Sequence, residues 1–196
     1  MTDTVALVLG GSNEVFTEYV EALKLCAAAG MPWKVFACND MLEDFPDLLE
    51  NGVTLHPEKL PGWLSRREAA GRARPTTVWG HRGFANIDQW TRDWQGSVGL
   101  FAVKIAREER FRKIICCGVP MDIEANHFKR KTKWVAALGF RRGWTAHRRE
   151  LAPFVRSMSG WTKFLLGPPT IEWLLSEIPD PNPPRTFRRD YHAGKA

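Results

Sequence analysis

The chain predicts an α/β fold in which a mostly parallel, doubly wound sheet carries helices on both faces, and three observations lead there. Five short apolar runs each end in a cluster of glycine or polar residues. The runs are unbroken rather than alternating, as strands buried on both faces require. Between the first and second runs, and between the fourth and fifth, lie segments with the spacing of an amphipathic helix.

Val5-Ala6-Leu7-Val8-Leu9 is the first run, closed by Gly10-Gly11-Ser12-Asn13. In the segment that follows, Phe16, Val20, Leu23 and Ala27 are spaced to form one apolar helix face, with Ser12 or Asn13 placed to cap it and Gly30 to end it. Trp33 to Cys38 is the second run, before Asn39-Asp40; Met41 to Leu49 then reads as helical apart from Pro46. Gly52 to Leu55 leads into His56-Pro57-Glu58-Lys59, and Thr76 to Trp79 into Gly80-His81-Arg82. Ser97 is placed to cap a helix whose Val98, Phe101, Ala102 and Ile105 share a face. Lys113 to Cys117 is the fifth run, before Gly118-Val119-Pro120-Met121-Asp122. Strands alternating with helices make the expected architecture Rossmann-like. In such open sheets ligands bind beyond the carboxyl ends of the strands, which makes the polar clusters the candidate site.

Length fits a single domain, expected over 1–178, with the region from about residue 150 packing back on the sheet. Residues 179–196, rich in proline and arginine, are expected to form an extended tail. No apolar stretch approaches the roughly 20 residues that span a bilayer, and the amino end lacks a secretory pattern, so the expected location is cytoplasmic, without a membrane partner. Cys26, Cys38, Cys116 and Cys117 show no Cys-x-x-Cys spacing and read as buried thiols of a reducing compartment.

The net charge of +6 is unevenly spread. Between Lys129 and Arg149, Lys129, Arg130, Lys131, Lys133, Arg141, Arg142, Arg148 and Arg149 interleave with Trp134, Phe140, Trp144 and His147. Three readings stand: a nucleic-acid surface, a helix pair with aromatics inward and charges outward, or cations for the phosphates of a small nucleotide.

Each strand-end cluster has a chemistry of its own. Glycines at the first turn let backbone amides approach an anion, and the following helix start favours negative charge. Asn39 and Asp40 can hydrogen-bond a ribose or base, or cap a helix. His56 and His81 follow adjacent strands, where either suits a general base near neutral pH or a cationic contact to phosphate. His127 is positioned to pair with Asp122 or to cap a helix. No His-Glu-x-x-His and no Asp-x-Asp occurs, so no metal site is expected and no cofactor is predicted. Charge on a departing phosphate would fall to Arg66, Arg67, Arg82 or Arg156 and to backbone amides. Among the nine tryptophans, Trp63, Trp79, Trp94 and Trp161 stand near strand ends or helix starts, for stacking or for core packing.

Taken in order, Gly10-Gly11-Ser12, Asn39-Asp40, His56-Pro57-Glu58-Lys59 with Trp63 and Arg66 or Arg67, Gly96-Ser97, and Cys117 to Asp122 form a series. That series resembles the small Rossmann-like proteins, common in bacteriophages, related to the sialyltransferase-like and 6-hydroxymethylpterin pyrophosphokinase-like superfamily. The resemblance covers roughly residues 4 to 128, and Arg156 to Trp161 with Gly167 to Trp173 is also similar to phage members. It implies a nucleotide or nucleotide sugar as substrate, with Gly10, Gly11, Ser12, Asn39, Gly96, Ser97 and Gly118 matching the family's binding positions; Asp40, Arg66, Arg82 and Arg156 join them as candidate binding residues by their own chemistry. It implies a glycosyltransferase-like activity, for which His56, His81 and Asp122 are the candidate catalytic residues. Two positions depart from the pattern: Val98-Gly99 stands where Ser-Gly is usual, and Pro120-Met121-Asp122 replaces an Asp-Met order. The rival expectation is a non-enzymatic phage protein in the host cytoplasm that sequesters a nucleotide signal or binds nucleic acid through Lys129 to Arg149.

Overall fold

The computed structural model describes residues 4–130 and 132–178, together with the backbone of His192–Ala193. The expected extended tail lies largely outside these residues. In chain order the elements are β1 (Val5–Leu9), α1 (Val15–Ala28), β2 (Trp33–Cys38), α2 (Met41–Asp44), β3 (Asn51–Thr54), a 3-10 turn (Pro57–Lys59) and α3 (Leu60–Ala69). Then come β4 (Thr77–Gly80), β5 (Gln89–Trp90), α4 (Val98–Glu108), β6 (Lys113–Cys117), α5 (Ala137–Ala146), α6 (Arg148–Leu151), β7 (Val155–Ser157), α7 (Gly160–Leu166), α8 (Ile171–Leu175) and β8 (His192–Ala193).

The sheet order is β7-β6-β1-β2-β3-β4-β5-β8. The first seven strands are parallel, and β8 joins β5 antiparallel. The fold is thus α/β and Rossmann-like, doubly wound about β1. Every residue of β1 and of β6 is buried, which is why both read as unbroken apolar runs. Alternation within β1 feeds two cores: Val5, Leu7 and Leu9 pack with α1, α2, α3 and α8, whereas Ala6 and Val8 pack with α4 and the α5–α7 region.

Helix α1 turns a different face inward from the one the apolar spacing predicts. Val15, Glu18, Ala22 and Cys26 are buried, while Phe16 and Val20 are 38% and 49% exposed. A carboxylate in the inward stripe disguises it in the sequence, and Glu18 is there because its Oε2 accepts the Gly118 N–H at 2.7 Å. The helix start differs as well. Glu14 holds the capping position without a side-chain cap, and Ser12 Oγ meets only the Glu14 N–H, at 3.4 Å. The carboxyl end follows the expectation: Gly30, at φ +64°, terminates the helix in a left-handed conformation.

Helix α4 is capped by Ser97, whose Oγ accepts the Leu100 N–H at 3.3 Å. It is buried almost all round because β1, β2, β3 and β6 lie on one side and Trp144 of α5, fully buried, on another. Helix α2 is confined to Met41–Asp44, shorter than the expected 41–49, with Pro46 two residues beyond it. In the carboxyl region β7 pairs with β6, and Trp173 and Leu174 enter the α1-side core. All four cysteines are buried and free, and burial raises each thiol, that of Cys26 to about 11. Among the described residues no helix is long and apolar enough to cross a membrane.

Candidate functional site at the carboxyl edge of the sheet

Strand order reverses between β1 and β6, so the loops leaving these strands diverge above their carboxyl ends. Close packing makes this junction. A Cβ on Gly10 would lie 2.3 Å from the Gly118 carbonyl oxygen, and one on Gly118, at φ +69°, would lie 2.6 Å from Val15 Cβ. The backbone here is occupied by the chain itself. The Gly10, Ser12 and Asn13 amides donate to Cys117, Gly118 and Asn126 carbonyls at 2.8, 3.1 and 2.9 Å, and Gly11 O accepts from the Phe128 amide at 2.9 Å.

Residues 122–130 therefore lie across the first turn as a strap. His127 bridges to Ser12 in antiparallel register, and its Nε2 is 3.3 Å from Asp40 Oδ2 rather than on Asp122. Lys129 Nζ reaches Glu43 Oε1 at 2.9 Å and Asp44 Oδ2 at 2.6 Å. These contacts raise the Lys129 ammonium and lower Glu43, against the burial of each.

Farther along the same edge, β2, β3 and β4 end in a more open arrangement. Asn39, left-handed at φ +53°, accepts the Thr54 hydroxyl at 3.0 Å, and Thr54 Oγ1 accepts the His56 N–H at 2.8 Å. This chain of bonds ties the ends of β2 and β3 together. The His56 ring is half exposed, with Nδ1 3.3 Å from Glu58 Oε1. His81 follows β4, and its buried Nδ1 has no hydrogen-bond partner. Burial is the main cause of its lowered pKa, and Arg82 and His56 act in the same direction against Asp93 and Glu58. Arg82 is exposed beside it. The start of α4 reaches this edge too, since Cys38 Sγ is 3.8 Å from Val98 O. Gly99 fits closely there: a Cβ would come 2.8 Å from Val119 Cγ1.

The structure gathers Gly10, Gly11, Ser12, Asn39, Asp40, His56, His81, Arg82, Gly96, Ser97 and Gly118 along one edge. Three other expected site residues have internal uses. Asp122 Oδ1 accepts from Arg141 Nη2 at 3.1 Å and from the Trp161 amide at 3.2 Å. Arg66 Nε donates to Glu43 Oε2 at 2.8 Å, and Arg156 donates to the Ala152 and Val155 carbonyls while its guanidinium lies 4.9 Å from the Trp173 ring centroid. Ser97 also has a structural task, since its Oγ accepts the Trp144 Nε1–H at 3.2 Å.

Of the tryptophans considered for stacking, Trp63 and Trp79 are 7% and 4% exposed and belong to the core. Trp94 stacks on His147, centroids 4.1 Å apart, and Trp161 lies under Arg141 at 5.0 Å. Sequence reasoning passed over Glu18. Burial holds its carboxyl above the ordinary range, against the Ser159 and Gly118 hydrogen bonds, and the only sequence signal is an acidic residue at the spacing of Val15, Ala22 and Cys26.

A cleft of about 210 Å³ opens at the other end of the sheet, where Lys34, Phe36, Glu50, Asn51, Thr77 and Trp79 line the amino ends of β2, β3 and β4. Its polar groups serve the fold: Glu50 Oε2 accepts the Val35 N–H at 3.2 Å, and Trp79 Nε1 donates to Asn51 Oδ1 at 3.1 Å. Among the described residues no group of three or more His, Cys, Asp or Glu side chains is arranged to hold a metal ion. The chain matches no protein-family model, no curated protein and no solved structure.

Proposed function

We propose that the protein binds a nucleotide or nucleotide sugar at the carboxyl ends of β2, β3 and β4 and acts as a glycosyltransferase-like transferase. The observation that carries this reading is His81, a half-buried imidazole at a strand end with its buried Nδ1 unpaired. Burial lowers its pKa, so the ring is neutral near neutral pH and free to accept a proton.

In a direct displacement, the acceptor hydroxyl gives its proton to His81. Its oxygen bonds to the sugar carbon as the bond from that carbon to the nucleotide phosphate breaks, and the nucleotide leaves with the bonding pair. Arg82 and the first-turn amides at the positive end of α4 supply the counter-charge for the departing phosphate. In this reading the anion lies beside α4 rather than at the turn after β1, where the Gly10, Ser12 and Asn13 amides already have acceptors. Asn39, with His56 linked to it through Thr54, is positioned for ribose or base.

The test is a thermal-shift screen against nucleoside phosphates and sugar nucleotides, with and without magnesium, since a ligand of the folded state raises its stability. Calorimetry and turnover of His81→Asn with the ligand so found then separate the roles. Abolished turnover with unchanged binding supports the reading. Equal loss of both contradicts the role given to His81, and a screen without any shift removes the nucleotide site.

A further inference from the structure

Residues 129–166 hold ten Lys and Arg against one carboxylate, Glu150, a net charge of +9, whereas the remaining 18 cations face 21 carboxylates for a net of −3. The structure sorts this positive charge. Lys129, Lys133 and Arg141 are paired with carboxylates, and Arg156 is engaged with carbonyls. The aromatic residues of the segment mostly turn inward: Trp144 is fully buried, and Trp134 and Phe140 pack against the core. Arg142, Arg148 and Arg149 are exposed on α5 and α6. Arg148 Nε donates to Leu165 O at 3.3 Å, which brings α6 alongside the end of α7. The residue next to that contact, Phe164, is 87% exposed. A bulky ring left in water beside the Arg148 guanidinium adds nothing to the core, and it is an arrangement on which an unpaired base stacks while its phosphates meet arginine.

We propose that the surface formed by α5, α6 and α7 binds single-stranded nucleic acid, with Arg142, Arg148 and Arg149 on the phosphates and a base stacked on Phe164. A bilayer fits it less well, because the exposed apolar groups, Val135 just before α5, Leu138 on α5 and Phe164 on α7, are few and interspersed in sequence with cations. A duplex hides the base faces that Phe164 would stack on.

Fluorescence anisotropy with a labelled single-stranded dodecathymidylate tests the proposal, with its duplex, heparin and phosphatidylserine vesicles as comparison probes. The expected result is micromolar binding at about 50 mM salt, with a slope of log affinity against log salt near −2 for three phosphate contacts. Phe164→Ala weakens the single strand by roughly 5- to 100-fold and leaves heparin binding unchanged. Reversing Arg142, Arg148 and Arg149 to Glu abolishes binding of both, while His81→Asn changes neither. The substituted positions are exposed, and unchanged circular dichroism confirms that each variant is folded. Absence of single-strand binding, indifference to the charge reversals, an equal effect of Phe164→Ala on heparin, or tighter binding to the vesicles or the duplex overturns the proposal.

Discussion

Replacing Ser97 by Ala removes one oxygen that serves two donors. The Leu100 N–H loses its cap, which costs about 1 kcal/mol for an ordinary Ser to Ala change at a helix start. The Trp144 Nε1–H, 3.2 Å from the same oxygen on a fully buried side chain, is left without that acceptor, at about 1–3 kcal/mol. Together these predict a loss of roughly 2–4 kcal/mol, or about 4–16 °C in Tm for a chain of this size. Urea unfolding followed by far-ultraviolet circular dichroism measures it, with an unchanged denaturant slope expected because the surface exposed on unfolding is the same. A double-mutant cycle with Trp144→Phe separates the two parts. In the Trp144→Phe background Ser97→Ala should cost only the capping contribution, because no indole N–H remains to be orphaned. A loss below about 0.5 kcal/mol in the parent chain, or strict additivity in the cycle, refutes the reasoning.

Arg67→Ala should be the most damaging surface-looking substitution. This arginine is 1% exposed and donates to the Leu42, Phe45, Asp47 and Ala73 carbonyls, so its removal should cost roughly 3–5 kcal/mol in denaturant unfolding, against well under 1 kcal/mol for Arg66→Ala next to it. Gly118→Ala combines a left-handed backbone with a Cβ placed 2.6 Å from that of Val15 and should cost roughly 2–5 kcal/mol; a change within 0.5 kcal/mol would show that the junction of β1 and β6 is slack. For Glu18 the folded pKa lies above the ordinary value of 4.5, so the folded state binds the proton more tightly than the unfolded one. Its contribution to stability is present at low pH and lost as pH rises through the folded pKa. Glu18→Gln should therefore gain stability relative to the parent as pH rises from about 4 to 8, and a difference that stays flat counts against a buried, reluctant carboxylate.

What could be read in the chain beforehand follows what local pattern encodes. β1 and β2 were legible to the residue, and β6 at its start, because strands buried on both faces must be apolar throughout, and β3 and β4 were displaced by one residue. β5 and β7, two and three residues long, are too short for a periodic signal and form by pairing with strands already in place. Helix α3 was hidden by Pro61 and Gly62, although a proline is tolerated in a first turn. Its two arginines looked equivalent. One pairs with Glu43 near the surface, the other ties four carbonyls inside, and no one-dimensional pattern separates them. At the candidate site, strand ends pointed to His56 and His81, but the unpaired Nδ1 of His81 depends on contacts from other elements. The occupied amides of the first turn were equally invisible, since their acceptors include Asn126, more than a hundred residues later. Charged side chains used internally are the general blind spot of composition, and Glu18, Arg67 and Lys113 are its instances.

Lys113 begins β6, is 1% exposed, and its ammonium donates to the Trp173 carbonyl and, at 2.8 and 3.0 Å, to the Ser176 carbonyl and hydroxyl. A strand beside the centre of the sheet thus draws acceptors for its cation from a helix end some sixty residues downstream. During synthesis β6 emerges long before those acceptors do, and burying an ammonium without them is heavily penalised. Burial of the first residue of β6 is therefore tied to the docking of the short α8, which serves the middle of the sheet rather than hanging from it as an appendage.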